Sequence, residues 1–277
     1  MSSNELPEWI KLRKYDKQQY LALLNLLRQN SIHTVCIEAD CPNRYECFAR
    51  GTATFLILGN ICTRDCKYCG VQSGHPKPPD PDTPGRIARA VRQLGLRYVV
   101  ITCVSRDDLE DGGASVFVDT VNAIRELCPS KVELLISDLN GNKQAIKKII
   151  QLHPDVLNHN IEVASPLFAG LRPQGDYKLS LSILKYAKQY GLITKSGLML
   201  GLGETDAEIL GTLRELRAAN VDILTIGQYL QPSKAHALVK KYYTPNEFSM
   251  LRQKAYGLGF QKVEAGPLVR SSYNAGV

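Results

Sequence analysis

The feature that most constrains the fold of this chain is a regular alternation of short apolar strands with helices. Predicted strands lie near 53–58, 98–102, 132–136, 155–160, 197–201 and 223–227, and predicted helices at 84–95, 114–127, 142–152, 177–190 and 206–219. Strands that alternate with helices over short connections are parallel and have right-handed crossovers. The six units predict an α/β fold, a partial (β/α)6 barrel of the TIM type, because a full barrel has eight.

Shorter extensions flank this core. The chain divides into three predicted parts, which are an N-terminal extension at 1–50, the barrel core at 51–235 and a C-terminal extension at 236–277. The N-terminal extension contains an amphipathic helix at 16–30, for which Asp16 is the candidate cap. Capping boxes that start at Thr205 and Thr244 predict two further helix starts.

Six of the eight cysteines form two trios, one on each side of the first predicted strand. They are Cys36, Cys41 and Cys47, with spacing Cx4Cx5C, and Cys62, Cys66 and Cys69, with spacing Cx3Cx2C. Thiolates are soft ligands suited to iron–sulfur clusters, zinc or copper(I). In parallel α/β folds, ligands bind at the carboxyl ends of the strands. The second trio follows the first predicted strand, so it lies on a loop where chemistry is expected.

Each trio is one ligand short of a closed tetrahedral zinc site, and no histidine lies inside either trio. A [4Fe–4S] cubane with three cysteines and one open iron fits each trio better. The alternatives are structural disulfides, zinc, or chance clustering of buried thiols. Cys103 and Cys128 fall outside both trios and are predicted to be ordinary thiols. The sequence therefore predicts two [4Fe–4S] clusters.

Glycines and polar residues follow other predicted strands. Gly112 and Gly113 come after the second strand, and without side chains they let the backbone approach a ligand closely. The fourth predicted strand ends in the run 158–162, which contains four polar residues. Polar residues at this place indicate that the end of the strand meets solvent or a ligand. Near the C-terminus, residues 266–273 form a compact polar motif with no helical period. These loops supply further candidate site residues.

Charge and hydropathy narrow the class of partner. Lys and Arg number 34 against 27 Asp and Glu, a net charge of +7, which favours an acidic partner. The basic residues are dispersed, so nucleic acid is not an expected partner. Residues 1–10 lack a signal peptide and no long apolar run occurs, so we expect no membrane association and a cytoplasmic location, where free thiols and clusters persist.

These motifs resemble those of the radical S-adenosylmethionine (SAM) superfamily, through the Cx3Cx2C trio with Tyr68 before its third cysteine. Within that superfamily, nearly the whole chain from residue 34 is similar to the lipoyl synthase family. The similarity is carried by the first trio and by the motifs at 106–113, 158–160, 197–204, 228–232 and 270–273. The chain departs from the family pattern at Cys103 and Ser105, where the resemblance implies serine and aspartate.

The resemblance implies a role for each trio. Cys62, Cys66 and Cys69 would hold the [4Fe–4S] cluster whose open iron binds SAM. The other trio, Cys36, Cys41 and Cys47, would hold an auxiliary [4Fe–4S] cluster, with Ser272 as its fourth ligand and Ser271 as the near alternative. A serine oxygen is a hard ligand that matches iron weakly, so it should leave readily. The residues expected to bind SAM are Tyr68, Thr102, Gly112, Gly113, Asn160, Glu162, Arg172 and Met199.

The implied reaction inserts sulfur at C6 and C8 of an octanoyl chain that is amide-linked to a lysine of a carrier protein. Two SAM molecules would be consumed, and the auxiliary cluster would supply the sulfur. The chemistry belongs to the cofactors, so no catalytic side chain is expected beyond the cluster ligands. Implied partners are the glycine-cleavage H protein, E2 lipoyl domains, and an electron donor such as ferredoxin or flavodoxin. The alternatives are another two-cluster radical SAM enzyme and a non-catalytic two-cluster electron-transfer protein.

Overall fold

The computed structural model describes residues 6–11, 14–273 and 275–276, so residues 1–5, which begin the segment searched for a signal peptide, lie outside it. The strands are β1 (His33–Thr34), β2 (Thr54–Leu56), β3 (Tyr98–Thr102), β4 (Lys131–Leu135), β5 (Val156–Asn158), β6 (Thr194–Leu200), β7 (Ile223–Gln228) and β8 (Lys262–Gly266). The helices are α1 (Lys17–Gln29), α2 (Val35–Glu38), α3 (Arg44–Ala49), α4 (Thr83–Gln93), α5 (Ala114–Leu127), α6 (Lys143–Gln151), α7 (Phe168–Leu171), α8 (Tyr177–Gln189), α9 (Asp206–Ala218) and α10 (Pro245–Gly257).

One sheet contains all of these strands, in the order of the chain from β1 to β8. The strands β2 to β8 are parallel to one another, and β1 pairs with β2 in the antiparallel sense. Within the described residues β8 does not pair with β1, so the barrel stays open. The six predicted strands and the partial barrel are confirmed, and the structure adds β8 as a further parallel strand.

Both extensions join this sheet. The N-terminal extension contributes β1, and the C-terminal extension contributes β8, which follows α10. The division of the chain at residues 50 and 235 stays a prediction.

Local signals set where the helices begin. Asp16 caps α1, because its Oδ1 accepts hydrogen bonds from Gln18 N (2.8 Å) and Gln19 N (3.2 Å). Both predicted capping boxes form, one at Thr205 before α9 and the other at Thr244 before α10. None of the helices described is long and apolar enough to cross a membrane.

Alternate positions of the strands face opposite sides of the sheet. Side chains such as Ile101 in β3 and Leu134 in β4 are fully buried against the surrounding helices. The other face is polar in the middle of the barrel. There the Glu133 carboxylate accepts hydrogen bonds from Tyr98 Oη (2.7 Å), Asn158 Nδ2 (2.8 Å) and Lys195 Nζ (3.0 Å).

These four residues come from four consecutive strands, β3 to β6. Their shared carboxylate therefore ties those strands together on the inner side of the barrel. Buried polar groups need such partners, because an unpaired charge in this position would be costly. The loops at the carboxyl ends of the same strands hold the residues described next.

Candidate functional site

The second cysteine trio lies on the long loop after β2, at the edge of the sheet where the parallel strands end. Backbone hydrogen bonds fix this loop to its neighbours. Thr63 N donates to Ser105 O (3.1 Å), and Lys67 N donates to Leu171 O (2.9 Å). The loop is therefore held both by the segment after β3 and by the end of α7.

A buried arginine between the cysteines of this loop fixes it further. Arg64 is 4% exposed, and its guanidinium donates to both oxygens of Asp107 (2.7 Å each) and of Asp138 (2.6 and 2.7 Å). Such paired contacts are strong and directional. Burial by itself would raise the pKa of Asp138, but the Arg64 hydrogen bonds and charge hold that pKa below its ordinary value.

The thiols of the second trio lie close enough to influence one another. Burial raises the pKa of Cys69 to about 12, and the neighbouring Cys66 and Cys62 thiols add to the rise. Burial also raises the pKa of Cys66. Such thiols are neutral at neutral pH and lose their protons when a metal binds them.

The first trio lies on the two short helices of the N-terminal extension. Cys36 belongs to α2, Cys41 follows that helix, and Cys47 belongs to α3. Burial raises the pKa of Cys36 to about 12, and the Cys41 and Cys47 thiols add to this rise. Burial and the Cys41 thiol likewise raise the pKa of Cys47 to about 11. Cys41 and Cys47 therefore lie near enough to Cys36 for their ionised forms to affect its pKa.

The C-terminal motif at 266–273 packs against the first trio. Asn43 Nδ2 donates to Leu268 O (2.5 Å), and Tyr273 Oη donates to Glu46 Oε1 (3.5 Å). Asn43 and Glu46 both lie between Cys41 and Cys47 in the chain. The C-terminal motif is therefore held against the segment between Cys41 and Cys47.

The same motif also reaches the end of β5. Asn160 Nδ2 donates to Ser271 Oγ (3.2 Å), so the Ser271 hydroxyl already has a partner. The side chain of Ser272 makes no hydrogen bond to the part of the chain that the structure describes. The C-terminal motif thus bridges the first trio and the strand end beside the second trio.

Several polar atoms near the second trio are buried without a hydrogen-bond partner in the described chain. They are His159 Nε2, Asn160 Oδ1 and Arg172 Nη1; Asn158 Oδ1 is a further such atom, and its side chain binds Glu133 in the middle of the barrel. Buried polar groups in folded proteins nearly always have partners, so this group favours a polar ligand at this place.

The charges around these atoms are mixed. Burial raises the pKa of Glu162, against the opposing effect of the Arg172 charge. Burial also lowers the pKa of His159 to about 4, so that its imidazole is neutral at physiological pH. Arg172 also lies near Tyr68 and Cys66, whose ionised forms would raise the pKa of its guanidinium. The predicted residues Tyr68, Asn160, Glu162 and Arg172 are therefore brought together beside the second trio.

Met199 and Thr102 are held at the ends of their strands. Met199 N donates to Glu162 O (2.7 Å), which places it next to this group. Thr102 is the last residue of β3, and its hydroxyl donates to Leu135 O (2.9 Å).

The predicted glycine pair contacts protein side chains. Gly113 caps α5 with a φ of +89°, and a Cβ atom there would collide with the Leu58 side chain. A Cβ atom on Gly112 would lie 3.1 Å from Leu139 Cα. Positive φ at both positions (+60° and +89°) together with close packing against Leu139 and Leu58 already favours glycine, so their contact with SAM stays a prediction.

The two departures from the family pattern do not disturb the loop. Ser105 contacts Thr63 through its backbone carbonyl, which any residue at 105 would supply. Cys103 packs partly buried against the apolar core, and burial raises its pKa to about 11. Cys128 packs against the same core, and its Sγ lies 3.4 Å from Ile124 O.

Comparison with known proteins decides the family. The family model described as the radical SAM superfamily matches residues 56–216. A lipoyl synthase from Caldanaerobacter subterraneus subsp. tengcongensis is 48% identical, over 98% of this chain and 96% of that protein. A lipoyl synthase from Caldicellulosiruptor saccharolyticus is 49% identical, over 99% of this chain and 98% of that protein. The chain belongs to the lipoyl synthase family.

It is therefore an enzyme, a radical SAM sulfurtransferase that uses SAM and a [4Fe–4S] cluster. This membership does not favour the non-catalytic electron-transfer alternative. Among solved structures, methylornithine synthase matches with a TM-score of 0.59 at 14% identity, over 91% of this chain and 82% of that chain. At that identity the similarity concerns the fold alone. It supports a barrel of the kind found in radical SAM enzymes.

The donor atoms of the site fit these cofactors. Among the described residues, no three His, Cys, Asp or Glu side chains are arranged to hold a single metal ion. The three cysteines of each trio fit a cubane, because each cysteine then binds a different iron. The partnerless polar atoms near the second trio likewise fit SAM, which carries amino, carboxylate, hydroxyl and base groups.

Two residues of this site, Arg64 and Asp138, were not predicted as functional from the sequence, and His159 was included only within the polar run 158–162. Arg64 and Asp138 fix the trio loop, and His159 directs its unpaired Nε2 among the buried polar groups. A signal for Arg64 existed, since it lies between two cysteines of the trio. Asp138 and His159 follow predicted strands, where polar residues are candidates in this fold class.

Proposed function

We propose that this enzyme inserts two sulfur atoms, at C6 and C8, into an octanoyl group linked to a lysine of a carrier protein. The observation that carries the proposal is the presence of two cysteine trios with one C-terminal motif between them. That motif contacts Asn43 beside the first trio and Asn160 at the strand end beside the second. A single trio would suffice for SAM cleavage, whereas a second one can hold the sulfur that the product needs.

The chain's residues have distinct tasks in this proposal. Cys62, Cys66 and Cys69 hold the cluster that binds SAM, and the group around Arg172 and Glu162 orients SAM beside it. The first trio and Ser272 hold the auxiliary [4Fe–4S] cluster. When bound, SAM and the clusters supply the radical chemistry and the sulfur. The protein contributes positioning and the exclusion of water, because a carbon radical must form its bond to sulfur before it abstracts hydrogen from another donor.

The substrate of this proposal is an octanoylated carrier, either the glycine-cleavage H protein or an E2 lipoyl domain. Ferredoxin or flavodoxin would supply the electrons, and two SAM molecules would be consumed for each lipoyl group. The cytoplasmic location stays a prediction from the sequence.

The test is direct conversion of substrate. Anaerobically reconstituted enzyme is incubated with SAM, dithionite and an octanoyl-lysyl peptide, and the products are measured by mass spectrometry. We expect a peptide that has gained two sulfur atoms, together with 5′-deoxyadenosine. Cleavage of SAM without sulfur insertion would contradict the sulfurtransferase proposal while preserving the superfamily assignment.

The serine ligand gives a second prediction. We expect Ser272→Ala to lower lipoyl formation about tenfold or more, with SAM cleavage largely retained, because a missing fourth ligand weakens only the auxiliary cluster. Ser271→Ala is the matched control, since Ser271 Oγ already accepts a hydrogen bond from Asn160 (3.2 Å). Mössbauer spectra and product analysis measure both effects. Loss of product with Ser271→Ala but not with Ser272→Ala would move the ligand by one residue.

A further inference from the structure

The segment 232–243, which we call the lysine segment, lies beside the loop of the second trio. Ala237 N donates to Lys67 O (2.7 Å), and His236 Nε2 lies 2.9 Å from Cys69 O. Both contacts are made to the trio loop itself. The lysine segment therefore forms part of the rim around the cluster that binds SAM.

The other end of the lysine segment crosses the ends of two strands. Lys240 N donates to Gly201 O (2.7 Å), directly after β6. The carbonyl oxygen of Lys241 accepts a hydrogen bond from Gln228 Nε2 (3.0 Å), at the end of β7. The whole segment thus lies at the carboxyl ends of the strands, where substrates enter folds of this class.

The lysine segment is strongly basic. It contains Lys234, Lys240 and Lys241, and the chain has no acidic residue between Asp222 and Glu247. Lys241 forms an ion pair with Glu247 (2.7 Å). Lys234 and Lys240 are exposed, and neither forms an ion pair with any residue that the structure describes. Two uncompensated positive charges therefore lie on the rim.

An exposed apolar residue lies between these two lysines in the chain. Leu238 is 59% exposed, more than any other large apolar side chain in the described residues. An exposed apolar centre with charged residues around it is the composition of a protein interface rather than of a small-molecule pocket. The lysine segment therefore has the properties of a surface for a protein partner of opposite charge.

We propose that the lysine segment is the docking surface for the folded carrier protein, which would present carboxylates around its octanoyl-lysine. The inference rests on the proposed function and names the surface that this substrate uses. The octanoyl-lysine arm has to enter at the strand ends, so the body of the carrier must lie on the rim beside them. An electron donor has no such requirement, because electrons can reach a cluster from any nearby side.

The experiment compares two substrates under chemical reduction. The double variant Lys234→Glu/Lys240→Glu is assayed with dithionite, using octanoylated H protein in one series and a short uncharged octanoyl-lysyl peptide in the other. We expect KM for octanoylated H protein to rise about tenfold at low salt, since charge reversal mainly slows association. The peptide should keep its KM and kcat within about twofold, because it does not reach the rim charges. Added salt should reduce the difference in KM for octanoylated H protein between wild type and variant.

A matched control separates the rim from total charge. Lys147 and Lys185 are exposed on α6 and α8, outside the barrel, and Lys147→Glu/Lys185→Glu changes the net charge equally. We expect this control to leave KM for octanoylated H protein close to the wild-type value. An equal rise in both double variants would overturn the proposal, because total charge alone would then explain the effect.

Other outcomes overturn the proposal in distinguishable ways. An unchanged KM for H protein, or an equal rise for H protein and peptide, would show that the lysine segment does not dock the carrier. An effect that appears with flavodoxin and disappears with dithionite would assign the surface to the electron donor instead. If wild-type enzyme converted neither substrate, the proposed function would fail first and the docking surface with it.

Discussion

We expect Cys62→Ala to abolish both SAM cleavage and lipoyl formation, whereas Cys36→Ala should abolish lipoyl formation and leave SAM cleavage. The two cysteines belong to different trios, which lie in different parts of the fold. Cys62 lies on the loop at the strand ends, and Cys36 lies in α2 of the N-terminal extension. Loss of one thiolate leaves each cluster with two of its three cysteine ligands, so each change should remove one cluster.

Iron and product analysis measure this division. Wild-type enzyme should hold about eight irons per chain, and each variant about four. 5′-Deoxyadenosine reports SAM cleavage, and the sulfur-containing peptide reports the complete reaction. Cys36→Ser is a second variant that keeps the size of this buried side chain. Cys128→Ala is the control, because Cys128 is partly buried outside both trios. Equal loss of SAM cleavage in the Cys36 and Cys62 variants would contradict the separate roles.

The second large effect is expected from Arg64→Met. This change would leave the buried Asp138 carboxylate without its main partner, with Arg172 Nη2 3.8 Å away as the remaining cation. Breaking a buried pair in this way costs about 3–5 kcal/mol, because one charge stays buried. We expect the free energy of unfolding of the iron-free protein to fall by that amount. SAM cleavage should fall more than tenfold, because the trio loop loses its fixed shape.

Lys67→Met is the matched control for Arg64→Met. Lys67 lies in the same loop and pairs with Asp65 (2.6 Å), but both side chains are about half exposed or more. Such surface pairs contribute at most about 1 kcal/mol. For Lys67→Met, the free energy of unfolding measured in urea and the yield of 5′-deoxyadenosine should therefore stay near their wild-type values. The double variant Arg64→Met/Asp138→Asn should regain part of the lost stability. Equal losses in the Arg64 and Lys67 variants would show that burial of the pair is unimportant.

Much of the fold could be predicted because its signals are local. The capping boxes at Thr205 and Thr244 involve residues three apart, and both form as expected. The apolar strands were recognisable for the same reason. β8 was missed because its sequence, 262–266, is short and carries a charged Glu264. Its place in the sheet depends on pairing with β7.

The glycine pair shows where a sequence motif gives an incomplete account. Gly112 and Gly113 suggested a backbone that approaches a ligand. The structure shows Leu58 and Leu139 beside them, so close packing together with positive φ already favours glycine there. A sequence gives the absence of a side chain but not the identity of the group that fills its space.

The sequence by itself determined the alternating barrel and the two cysteine trios, because ligands only a few residues apart depend on short stretches of chain. Tertiary structure alone decided which distant residues meet them. Asp138 is 74 residues from Arg64, Ser271 is 111 residues from Asn160, and Tyr273 is 227 residues from Glu46. Such partners are set by the order and register of the strands. No local spacing encodes them, because the chain between two partners can follow many paths and the packed core selects one of these.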